Sequence, residues 1–142
     1  MSAVGLSNVW VQTHSDGLVR ADQVIGIEAH STAGVGDTPS HWLLDVVLTT
    51  SVGSGFRDGW NVTALHRTLA QTAFPPEGAA TALARLLARL DAINASGVVT
   101  LEKHGRGDAD TDAFTSSAGG LRFRFAPFPT TGPDDRSDGE YL

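Results

Sequence analysis

In "VWVQTH", residues 9–14, Val9, Val11 and Thr13 alternate with Trp10, Gln12 and His14. That period of two belongs to a strand with two different faces. Asp16-Gly17 follows, a pair in which positive φ is cheap, and residues 18–20 begin a return, so the chain is predicted to open with a β-hairpin. Ala21-Asp22 then breaks or bulges the return strand before residues 24–29, where Ile25, Ile27 and Ala29 share one face. One bent strand and two short ones fit this pattern equally. "HSTAGVGDTPS", residues 30–40, has no periodicity and reads as a long exposed loop. "HWLLDVVLTT", residues 41–50, places Trp42, Leu44, Val46 and Leu48 on one face and Leu43, Asp45 and Val47 on the other, as a central strand would. The turn-rich stretch 51–59 separates it from a further strand at 60–65, after which Leu65 and Leu69 have helical spacing and the pattern is ambiguous.

Pro75-Pro76 sets a helix start, because proline in the first turn forfeits no intrahelical bond. The following residues put Ala79, Leu83, Leu86, Leu87 and Leu90 on one stripe and Glu77, Thr81, Arg85 and Arg89 on the opposite one. Glu77 and Arg89 suit the two ends of the helix dipole, and Gly97 suggests the stop. Residues 98–104 and 121–128 alternate again, with Leu121, Phe123 and Phe125 on one face, and are predicted to pair around the connection 104–120. These elements define an α+β fold: an antiparallel, curved sheet of about five to seven strands against one main helix, near residues 76–95. The domain is expected to occupy residues 1–128. Residues 129–142 are acidic and poor in apolar side chains, the composition of a flexible tail.

A chain of 142 residues suffices for one domain that buries about two-thirds of its unfolded surface. The net charge of −6 repels phosphate backbones and anionic headgroups, so neither nucleic acid nor membrane is an expected partner. The absence of cysteine removes disulfides, thiolate nucleophiles and cysteine-type zinc sites. With no basic-then-apolar leader and no run near the roughly 18 apolar residues of a membrane span, the chain reads as soluble, unprocessed and cytoplasmic. Lys103 is the only lysine and alanine is plentiful, which fits the coding bias of a GC-rich bacterial genome more simply than selection for binding.

Candidate chemistry is sparse. Asp108, Asp110 and Asp112 match positions 1, 3 and 5 of a calcium loop, but position 6 is Ala113 instead of glycine and position 12 is Gly119 instead of glutamate. A hydrated connection is therefore expected, with no metal bound. Arg106-Gly107-Asp108 matches an adhesion tripeptide of a length that arises readily by chance. The histidines at 14, 30, 41, 66 and 104 form no HxH or HxxxH pair, although His14, His30 and His41 fall at strand ends that could meet at a sheet edge. Ser54 lacks a nucleophile elbow, and the short glycine runs at 34–36 and 53–55 open no helix, so neither a hydrolytic centre nor a phosphate cradle is implied. No cofactor is expected.

Two functional readings remain. The leading one is a small noncatalytic protein-interaction module, an accessory, adaptor or inhibitor protein. It would self-associate as a homodimer through an exposed sheet face or edge, because one helix covers only one face of such a sheet; Trp10, Trp42 and Trp60 are the candidate contact residues. The alternative is a small-ligand-binding protein or enzyme with a pocket inside a curved sheet, lined by Trp42, Trp60, Phe123 and Phe125.

Overall fold

The computed structural model describes residues 5–14, 17–34, 36–37, 39–57, 60–103 and 114–129, with side chains throughout except at 50–64. In chain order the elements are β1 (Val9–Gln12), β2 (Leu18–Arg20), β3 (Val24–Thr32), β4 (His41–Arg57), β5 (Trp60–Thr72), α1 (Ala79–Ala92), β6 (Gly97–Lys103), β7 (Thr115–Ala118) and β8 (Leu121–Pro127). The fold is α+β, and its strands divide between two sheets, ordered β2-β1-β6-β8-β7 and β3-β4-β5. The division starts at a single 3-10 turn, Ala21–Gln23, which carries the chain off the first sheet and is braced by Arg20 Nε against Asp22 Oδ1 at 2.7 Å. β1 and β6 pair in parallel, Val11 opposite Val99. A parallel pair needs a long crossover, and here β3, β4, β5 and α1 all lie between its two strands in sequence.

The helix runs as the apolar stripe requires: Ala79, Leu83, Leu86, Leu87 and Leu90 are all buried. It starts later than the prolines. Pro75 and Pro76 form a turn closed by Glu77 N–H to Pro75 O at 2.9 Å, and Gly78 at φ 78 caps the first turn. Against this turn sits the two-residue Gly119-Gly120 connection of the β7–β8 hairpin, with φ of 63 and 81. A Cβ on Gly119 would lie 2.5 Å from the Pro76 carbonyl carbon, so glycine is required by close approach as well as by φ. The helix ends in a Schellman motif, Asn94 N–H to Asp91 O at 3.2 Å and Ala95 N–H to Leu90 O at 3.0 Å, with Asn94 at φ 53. Asn94 therefore supplies the stop that Gly97 was expected to give; Gly97 is a buried strand residue whose absent side chain admits the Ala126 carbonyl and the Phe125 ring.

Strand content exceeds the sequence expectation in three places. The presumed loop at 30–40 begins only after Thr32. The turn-rich 51–59 continues β4 to Arg57, because β5 runs antiparallel beside it, with a register shift between Val52 and Gly55 absorbing Gly53. In the connection 104–120, Thr115–Ala118 forms β7 on the outer side of β8. Residues 104–113, with Asp108, Asp110, Asp112 and the Arg106-Gly107-Asp108 tripeptide, lie outside the described residues, as does the tail from 130 onward.

Both sheets and the helix feed one apolar core: Val9, Val11, Val99 and Phe123 from the first sheet, Leu44, Val46 and Leu48 from the second, Leu83, Leu86 and Leu90 from α1. Thr13 N–H bonds Gly17 O at 2.7 Å to close the first hairpin, and His14 N–H reaches Thr68 O at 2.8 Å, joining its tip to β5. Arg89 Nη2 donates to Thr115 O at 2.9 Å and so ties the last helical turn to β7.

Candidate functional site

Asp45 stands at the centre of the three-stranded sheet, level with Glu28 on β3 and Thr68 on β5. Strand alternation turns it away from Leu44 and Val46, yet it is only 3% exposed. Its carboxylate is well partnered: Thr68 Oγ1 donates to Oδ1 at 2.7 Å, His30 Nε2 lies 2.8 Å from Oδ2, and His66 Nδ1 lies 3.9 Å from the same oxygen. The His30 pKa is raised above 6.5, first of all by the hydrogen bond to Asp45; desolvation, next in size, opposes this, and the charges of Asp45 and Glu28 and the Ser31 backbone add to the rise. A carboxylate that orients a histidine is half of a general-base arrangement. The neighbouring hydroxyl, that of Thr68, points to the carboxylate and not to the imidazole. The cluster thus acts as a polar rivet through β3, β4 and β5. Among the described residues no three His, Asp or Glu side chains are arranged to hold a metal ion.

The second feature is a groove of about 550 Å³ between β3 and α1. Val24, Ile25, Gly26 and Ile27 line one side, Ala80, Ala84 and Ala88 the other, and Leu6 and Asp91 close one end. Toward the start of the helix it runs into a cleft of about 300 Å³ formed by Ala29, Trp42, Pro75, Pro76 and Glu77, with Ala80 and Thr81 common to both. Ala80, Ala84 and Ala88 recur at i, i+4, i+8 beside the buried stripe, and their small side chains leave the space between helix and strand unfilled. β3 is an end strand of its sheet, and among the described residues no other strand pairs with its outer side, although Val24 N–H bonds Ala21 O in the preceding turn. Ile25, displaced by the register shift between Val24 and Gly26, is 68% exposed.

The structure distributes the sequence candidates widely. Trp42 is half-buried in the cleft at the end of the groove. Trp10, also half-buried, lines a separate cleft of about 250 Å³ with Leu18, Arg20, Leu48 and Arg67. The Trp60 side chain is outside the described residues. Phe123 and Phe125 fill the core at 0% and 5% exposure, Phe125 lying 5.8 Å from Phe114 between ring centroids, so neither opens onto a cavity wall beside Trp42. Of the histidines, His30 and His66 converge on Asp45, while His41 pairs with Thr32 further along β3. No helix among the described residues is long and apolar enough to cross a membrane. Comparison with protein-family models, with curated proteins and with solved structures finds no match for this chain.

Proposed function

We propose that this chain is a noncatalytic protein-interaction module, an accessory, adaptor or inhibitor protein, whose working surface is the outer edge of β3 with the groove beside α1. One observation carries this reading: a nine-residue strand ends its sheet, no other strand among the described residues pairs with its outer side, and an apolar groove runs along its flank. Such an edge accepts an added strand, with main-chain bonds supplying affinity and the groove selecting alternate side chains. The Asp45 cluster supports the noncatalytic part, since its hydroxyl and carboxylate bond each other and hold the strands together.

A homodimer through the same edge is the second reading, favoured by charge pattern. An antiparallel pairing of two β3 strands about Ala29 sets Glu28 of one copy across from His30 of the other, twice by symmetry, on the face that carries Asp45.

The chain has no cysteine, so a single introduced thiol is a specific probe. An environment-sensitive fluorophore on Ser31→Cys is expected to respond when the protein is concentrated or mixed with synthetic extended peptides of alternating isoleucine and threonine. The same label on Lys103→Cys, exposed on β6 of the other sheet, is expected to stay silent. No response at position 31 to any peptide, together with a monomer mass at every concentration in sedimentation equilibrium, would sink the reading.

A further inference from the structure

We infer that the natural occupant of the groove is an extended peptide segment with apolar residues at alternate positions and a basic residue at the end that meets Asp91. This rests on the reading of the β3 edge as a strand-accepting surface and names the chemistry of what it accepts.

Length comes first. From Val24 to Ala29 the strand side spans about 17–20 Å at the rise of a β-strand. From Ala80 to Asp91 the helix side spans about 16 Å. The two agree on a segment of about six residues.

Charge comes second. Among the described residues that line the groove and its adjoining cleft there is no lysine, arginine or histidine, and the charged ones are Glu77 at one end and Asp91 at the other. The ends are not equivalent. Asp91 belongs to the last turn of α1, where its carboxylate adds to the negative end of the helix dipole; Glu77 precedes Gly78 at the positive end and is partly offset by it. A cationic side chain is therefore drawn to the Asp91 end, which fixes the direction in which the segment lies. The net charge of −6 acts in the same sense.

A second copy fits this groove less well. Self-pairing about Ala29 gains the two Glu28–His30 contacts but brings residues 32–34, none of them basic, toward the Asp91 end, and the bulge between Val24 and Gly26 twists that end of β3 away from flat self-pairing.

The test uses the full chain and three fluorescein-labelled heptapeptides with a common Ile-Thr-Ile-Thr-Ile centre and two lysines, two serines or two glutamates as ends, read by anisotropy. The lysine-ended peptide is expected to bind tightest and the glutamate-ended weakest, with the spread collapsing in about 0.5 M salt. Asp91→Asn is expected to reduce the lysine preference by about two- to fivefold and Glu77→Gln by less. Ala84→Trp, which fills the groove from an exposed helix position, is expected to abolish binding with an unchanged melting temperature; Ala88→Leu does the same more mildly should the larger residue disturb folding. Equal affinity for all three peptides overturns this inference and leaves the strand-accepting edge standing. So does binding that survives Ala84→Trp, or a dimer that no peptide displaces. Failure of every peptide to bind the monomer removes the inference together with the reading beneath it.

Discussion

Asp45 and His30 show how one residue position commits three strands. Alternation in "HWLLDVVLTT" already turns Asp45 away from Leu44 and Val46, so its face was legible. Its partners were not, because a hydrogen bond between positions 15 apart in sequence depends on cross-strand register, and the register here is shifted by bulges no local pattern announces. The folded His30 pKa lies above 6.5, so the stability contributed by the pair is fully present below that value and is lost as pH rises through the raised one. An NMR titration of the His30 ring should give a midpoint above 6.5 that Asp45→Asn returns toward the ordinary value. A midpoint insensitive to that substitution would disconnect the two groups. Asn94 offers a second residue-scale check: at φ 53 Asn94→Gly should be neutral or slightly stabilising, whereas Asn94→Val should cost about 1–2 kcal/mol in urea denaturation.

At the scale of elements, α1 was the most legible part of the chain, since its leucine stripe has the helical period and every predicted stripe residue is buried. Leu86 is 0% exposed, so Leu86→Ala should destabilise by about 2–5 kcal/mol and Leu86→Asp by more, because a carboxylate would be left unpaired in the core. Arg85→Ala, one position away and exposed, should change stability by less than about 0.5 kcal/mol. Equal losses at 85 and 86 would mean that the stripe is misplaced. The long strands were harder to read. In β5, Leu44 pairs with Ala70 and Asp45 with Thr68, which leaves Leu69 as an extra residue and buries Leu69 and Ala70 in succession. That bulge destroys the period of two on which a strand is recognised. β7 was missed for a different reason: Thr115, Ser116, Ser117 and Ala118 resemble a loop in composition, and only the β8 partner makes them a strand. The groove had a faint signal in Ala80, Ala84 and Ala88, a row of small residues between the leucine stripe and the polar one.

For the whole molecule, the α+β class follows from the alternating segments and the single helix, whereas the split into two sheets turns on the three-residue 3-10 turn after β2 and on the parallel β1–β6 pair, both long-range outcomes. The split has a functional consequence, because it leaves β3 as the outer strand of a small sheet beside an apolar groove. Hydrogen exchange followed amide by amide across β3 tests that consequence most directly. In the free monomer, the β3 amides that face β4 should exchange slowly and those that face outward quickly, and the fast set alone should slow when the lysine-ended peptide is added. Uniform protection of β3 in the free monomer, or bound peptide that leaves the fast amides unchanged, would contradict the account.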